Sequence, residues 1–158
     1  MTVTISEPST TVNELYAALP AELRRELEQY EEDSRVQRGF RLLQRHLPPE
    51  RLIILTAGKV EISVPSEGHE VLLGTAGPGK VFGMRAIVSG DLPEISVTCL
   101  QECDIAAIPA EKFMAVLRDN PQMYFAVAKV LSNDLKIADQ LIRNCARRAS
   151  AVARNKTV

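Results

Sequence analysis

Leucines recur every four residues near the N-terminus, which is the spacing of one helix face. These leucines are Leu15, Leu19, Leu23 and Leu27. Proline is accepted in the first turn of a helix but not in its interior. Pro20 therefore separates a short turn over residues 12–18 from a main helix over about 21–31. The pattern predicts a helical layer before any strand.

Residues 35–109 change to a period of two. Apolar and polar side chains alternate in 60–64 and again in 95–99, as they do in strands that bury one face. Glycine or proline interrupts the segment about every ten residues. Several short strands with regular turns are typical of a sandwich or barrel and disfavour a parallel sheet.

Helical spacing returns after residue 109. A short helix is predicted over about 110–118, and Asn120-Pro121 ends it and begins a longer helix of roughly 24 residues. The apolar positions of this helix mix steps of three and four, as in a helix–helix seam. They are Val127, Leu131, Leu135, Ala138, Ile142 and Cys145. At about 36 Å the helix is too long for a domain of this size to cover its whole length. A second copy of the chain, giving a homodimer, would cover its stripe; alternatively, the helix folds back on its own β-segment.

Composition places the chain among ordinary globular proteins. It has 158 residues, 46% of them hydrophobic and 25% charged, and a formal net charge of −1. One domain is expected, and the near-zero charge excludes a uniformly basic nucleic-acid binder. No apolar run approaches the ~18 residues of a membrane span, and residues 1–11 do not resemble a secretion signal, so a cytoplasmic protein is expected.

Charge is unevenly distributed. Residues 11–34 hold seven acids and two bases, whereas residues 141–158 hold five bases and no acids. The bases are Arg143, Arg147, Arg148, Arg154 and Lys156. Either these are solvated faces, with cations that suit a helix C-terminus, or one end binds a partner of opposite charge. We expect a disordered segment 1–11, a domain over 12–142 and a basic tail over 143–158.

Several stretches occur in an order and spacing that resemble a known family. They are LIILTAGKVEI at 52–62, GPGKVFG at 77–83, CDIAAIPAEKF at 103–113, Leu19-Pro20 and Asn120-Pro121. Over about residues 15–142 the chain resembles cyclic-nucleotide-binding domains, in particular the sensor domains of catabolite-activator and FNR-like regulators. The resemblance implies a mainly β fold with flanking helices. That fold is a β-roll, or double-stranded jelly roll, with an N-terminal helix, a long C-terminal helix and a ligand inside the roll.

The segment that resembles the family's phosphate-binding cassette, residues 82–97, departs from the family pattern. Gly83 and apolar helix positions such as Ala86 are kept. The glutamate that receives the ribose hydroxyl falls on Met84. The arginine that pairs with the cyclic phosphate falls on Pro93, or on Glu94 if one residue is inserted. An unpaired phosphate inside a protein costs several kcal/mol, so cyclic AMP binding of the usual kind is not expected.

Other positions leave alternatives open. The family's adenine-contacting hydroxyl pair falls on Ala138 and Asp139. Arg85 is either a solvated first-turn residue or a replacement for the lost arginine, beside the free N–H groups of a helix start. The candidate ligand-binding residues of the degenerate cassette are Gly83, Met84, Arg85, Ala86, Glu94 and Ser96.

Neither catalysis nor a cofactor is indicated. No Ser/His/Asp set, Cys/His set or phosphate loop is present, and three cysteines and two histidines lack zinc-site spacing. Cys99 and Cys103 are expected to pack in the core. The residues after Ile142 are too few for a helix-turn-helix with a wing, so sequence-specific DNA binding by this chain alone is not expected. Three hypotheses remain: a sensor of a ligand other than cyclic AMP, an interaction or assembly module with a silent pocket, and a cyclic-nucleotide binder with a rewired cassette.

Overall fold

The computed structural model describes residues 12–155, so the segment 1–11 expected to be disordered and Lys156 of the basic tail lie outside the described residues. A 3-10 turn (Tyr16–Ala18) and helix α1 (Ala21–Glu28) come first. Eight strands follow: β1 (Glu32–Val36), β2 (Arg41–Leu43), β3 (Arg51–Ala57), β4 (Val60–Ser66), β5 (His69–Ala76), β6 (Val81–Phe82), β7 (Ser96–Cys99) and β8 (Cys103–Pro109). Helix α2 (Met84–Ser89) lies between β6 and β7, and α3 (Ala110–Asp119) and α4 (Met123–Asn155) end the described chain.

The strands form two four-stranded antiparallel sheets. One has the order β1-β8-β3-β6 and the other the order β2-β7-β4-β5. Neighbours along the chain often lie in different sheets, as in a jelly roll. The predicted β-roll with an N-terminal helix and a long C-terminal helix is therefore confirmed.

Two separate apolar cores follow from the alternation of side chains along the strands. In β3, Ile53 and Leu55 point between the sheets and belong to the roll interior. Leu52 and Ile54 point to the opposite face of the first sheet, where they pack with α1 and α3 residues such as Leu27 and Phe113. The helices therefore cover the outside of one sheet, and the strands alone enclose the roll interior.

A glycine permits a close approach between two segments of the roll. Gly58 joins β3 to β4 with φ of +107°, and a Cβ placed there would lie 2.5 Å from the Sγ of Cys103. Both the positive φ and the close sulfur exclude a side chain at this position. The thiol of Cys103 in turn donates to the backbone oxygens of Lys59 and Gln101.

The N-terminal segment differs from its predicted boundaries. Helix α1 ends at Glu28, not at about residue 31, and β1 begins at Glu32. The acidic, exposed sequence of β1 gives no period-two signal. It becomes a strand because it pairs with β8, from Glu32 opposite Ala107 to Val36 opposite Cys103.

Helix α4 is longer than expected. It has 33 residues, against the roughly 24 that the seam pattern predicted, and is about 50 Å long. No glycine or proline follows Pro121, and the arginines of the basic segment are good helix formers, so the helix continues to Asn155. Over residues 12–155 no helix, α4 included, is long and apolar enough to cross a membrane.

Candidate functional site

The cassette keeps the backbone of a strand–turn–helix. Gly83 follows β6 with φ of +91° and precedes α2, and Gly90 ends that helix with φ of +77°. Glycine accepts both left-handed positions without strain. The chain then crosses a loop and enters β7 at Ser96.

The first residues of α2 face away from the roll interior. Met84 is 2% exposed and packs in the helix-side core with Val81, Phe113 and Leu117. Ala86 is buried, whereas Arg85 is exposed. The residue at the glutamate position therefore has neither a carboxylate nor a side chain among the roll-interior residues.

The second half of the cassette presents apolar residues to the roll. Ile95 and Val97 belong to the roll interior, and Pro93 is buried. Glu94 is exposed. Ser96 is buried and its Oγ accepts a 3.1 Å hydrogen bond from the backbone N–H of Arg45, so strand alternation directs it away from the interior.

Only two of the six candidate ligand-binding residues line a common cleft. Arg85 and Glu94 border a surface cleft of about 490 Å³ together with His46, Asp91 and Leu92. The two carboxylates outnumber the single arginine, which is unfavourable for a phosphate. Gly83, Met84, Ala86 and Ser96 are not among the residues that line this cleft.

A partly buried charge cluster that the sequence did not predict lies just before the cassette. The Nζ of Lys80 is 3.1 Å from the Oε1 of Glu14 and also contacts the Oδ1 of Asp134. These three residues come from the N-terminal segment, the turn before β6 and helix α4. The one feature of the sequence that could have pointed to this cluster is a lysine directly after a Gly-Pro-Gly turn. No local pattern indicates which residues pair with that lysine.

Comparison with known proteins decides the family. The sequence model of the family described as the cyclic nucleotide-binding domain matches residues 34–120, which is more than half of the chain. The chain belongs to the cyclic nucleotide-binding domain family. No curated protein sequence is significantly similar to it.

Solved structures of this family share the fold. The Thermus thermophilus catabolite activator protein is 21% identical with a TM-score of 0.70, over 85% of this chain and 63% of that one. The N-terminal domain of a Streptomyces coelicolor transcriptional regulator is 25% identical with a TM-score of 0.64, over 82% and 94%. A c-di-GMP responsive global regulator of Xanthomonas campestris is 20% identical with a TM-score of 0.65, over 82% and 65%. The chain thus spans less than two thirds of the Thermus protein's length.

The predicted seam of the long helix divides at Leu131. Val127 is 3% exposed and packs inside its own domain, and Leu131 packs partly against the same core. Further along, Leu135 is 64% exposed, Ile142 is 66% exposed and Ala138 is also exposed. Val127 is therefore covered without a second chain, whereas Leu135, Ala138 and Ile142 are not. The side chain of Cys145, the last predicted seam position, lies outside the described residues.

The remaining candidates for chemistry serve packing. Cys99 and Cys103 are both buried in the roll interior. Burial raises the pKa of the Cys99 thiol to about 12, and the adjacent Cys103 side chain adds to the shift, so Cys99 carries very little thiolate at neutral pH. Within the described part of the chain, no group of three His, Cys, Asp or Glu residues could hold a metal ion.

Proposed function

We propose that this chain is a non-catalytic regulatory module of its family. In this proposal it acts through assembly of its long helix and does not bind cyclic AMP in the family's usual way. The observation that carries the proposal is the orientation of the cassette. Met84 packs toward the helices and Pro93 is buried, while apolar Ile95 and Val97 face the roll interior.

The charge of a cyclic nucleotide opposes its binding in the roll interior. A cyclic nucleotide carries a phosphate anion, and placing it in an apolar interior without a cation costs several kcal/mol. The interior consists of twelve buried residues, with Leu73, Ala76 and Ile95 packed against them. Arg85, the cation within the cassette, lies at the surface cleft beside two acids. This favours a module with a silent pocket over a rewired cyclic-nucleotide binder.

The assembly half of the proposal rests on the exposed part of α4. Counting from Leu131, the positions 135, 138, 142, 145, 149 and 152 alternate steps of four and three, which is the period of a two-stranded coiled coil. Leu135, Ile142 and Val152 are exposed on this stripe. A second copy of the chain would bury it, which supports a homodimer through α4.

A calorimetric titration tests the ligand half. We expect no binding of cyclic AMP tighter than about 0.1 mM, which corresponds to about 5.5 kcal/mol. Cyclic GMP and cyclic dinucleotides should be titrated in parallel, and linear AMP serves as the control for nonspecific nucleotide binding. A micromolar constant for cyclic AMP would overturn the proposal in favour of a rewired cassette. A micromolar constant for a cyclic dinucleotide alone would replace the silent pocket with a sensor of a different ligand.

A further inference from the structure

The cluster around Lys80 joins three parts of the molecule at the point where α4 leaves the domain. We propose that Lys80 is an electrostatic latch that fixes the direction of the exposed arm of α4, defined as residues 135–155. The inference deepens the proposed function, because an arm that assembles with a second copy must be held in a defined direction.

The anchored side is held by the backbone of the roll. The backbone N–H of Leu55 in β3 donates to the carbonyl oxygen of Lys80 at 3.0 Å. Two hydrogen bonds hold Glu14 in place beside Lys80. The backbone N–H of Glu14 donates to the carbonyl oxygen of Gly79 at 2.9 Å, and its Oε1 accepts from the backbone N–H of Val81 at 3.0 Å. Lys80 and Glu14 therefore form one rigid unit with the start of β6.

The member of the cluster that lies on α4 is Asp134. Its carboxylate is 38% exposed, whereas the side chains of Lys80 and Glu14 are only 14% and 15% exposed. Asp134 also stands at a boundary in α4. Val130 is fully buried, and from Leu135 to Asn155 the described side chains are exposed apart from the partly buried Asn144. The ion pair thus holds the last turn of α4 that still touches the roll.

The geometry amplifies a small change at the latch. The arm has 21 residues and is about 31 Å long, so a rotation of about 10° at Asp134 would move its end by about 5 Å. Without the lysine, the carboxylates of Glu14 and Asp134 would face each other without a cation and repel. Loss of Lys80 is therefore expected to push the arm outward and broaden its range of directions.

Distance measurements between spin labels test the latch. Nitroxides carried on unnatural amino acids at Ser66, the exposed last residue of β4, and at Ala151, on the arm, report the direction of the arm within one chain. Labelled chains are diluted into unlabelled ones so that only intrachain distances are read. We expect a narrow distribution for the parent protein and for Lys80→Arg. For Lys80→Met and Asp134→Asn we expect a distribution that is shifted or broadened by at least about 4 Å, because Ala151 lies about 26 Å along the helix from Asp134.

Asp139→Asn is the matched control, because it removes one exposed acid from the same helix and leaves the Lys80 cluster intact. Should Lys80→Met fail to fold, Asp134→Asn decides the matter alone, since its carboxylate is partly exposed. Unchanged distances in folded Asp134→Asn, or an equal change in Asp139→Asn, would overturn the latch. Sedimentation of the same samples separates this failure from failure of the proposed assembly, because the intrachain distance is readable in a monomer or a dimer.

Discussion

The roll interior and the exposed arm of α4 are both rich in apolar residues, but only the roll interior is covered. In the roll interior, Val60 and Val97 are fully buried between two sheets of the same chain. On the arm, Leu135 and Ile142 are each about two thirds exposed. The apolar side chains of the roll interior are therefore covered by their own chain, whereas Leu135 and Ile142 of the arm are exposed to solvent.

This difference in burial bears on whether assembly or nucleotide sensing is the better supported function. A ligand site needs space and polar groups that face it, and the cassette directs Met84 and Ser96 away from the interior. An assembly surface needs an apolar stripe of sufficient length, and the arm supplies one with coiled-coil spacing. The physical support is consequently stronger for assembly than for nucleotide sensing.

The largest expected effect is on assembly. Replacing Leu135 and Ile142 with glutamate should raise the dimer dissociation constant at least about 1000-fold, or about 4 kcal/mol, because both chains lose apolar contacts and acquire charges in the seam. Leu131 is less suitable for this test because it also packs against its own domain. Sedimentation velocity over a concentration series gives the constant.

The matched control places the same two charges outside the seam. The double variant Gln140→Glu and Ser150→Glu adds two carboxylates at exposed positions of the same helix and should leave the dimer nearly unchanged. A parent chain that sediments as a monomer at high micromolar concentration would remove the arm as an assembly surface. Equal dissociation in both double variants would also do so.

A smaller effect is expected on the free energy of unfolding, which substitutions in the two apolar regions should change by different amounts. Ile62 lies opposite Val97 in the interior, next to the cassette. Ile62→Ala should lower the free energy of unfolding by about 2–5 kcal/mol, because the packed interior would be left with a cavity. Leu135→Ala should change it by less than about 0.5 kcal/mol when the protein is dilute enough to be monomeric. Urea titrations followed by circular dichroism measure both, and a small loss for Ile62→Ala would indicate an interior with room for a ligand.

Local patterns predicted the strands and helices but not what brings them together. Alternation at 60–64 and 95–99 indicated strands, and both are present in the second sheet. Strand β1 was missed at its acidic start because its signal is its pairing with β8, some 70 residues away. The resemblance identified the cassette residues, but which core Met84 enters depends on how α2 packs. The Lys80 cluster joins residues 66 and 54 positions apart, a separation that no short-range pattern reports.

The smallest expected effect concerns nucleic acid and the difference in charge between the arm and the rest of the chain. Residues 141–158 carry five bases and no acids, although the whole chain is slightly acidic. The arm lacks aromatic residues that could stack on bases, and weak overall steering toward DNA is expected. We therefore expect only salt-sensitive, sequence-independent DNA binding, or none at about 150 mM salt. Gel shifts with random and palindromic duplexes test this, and Arg143→Gln with Arg147→Gln should weaken any binding equally on both. A preference for the palindrome by this chain at that salt would show that the arm or the roll contains a base-reading element.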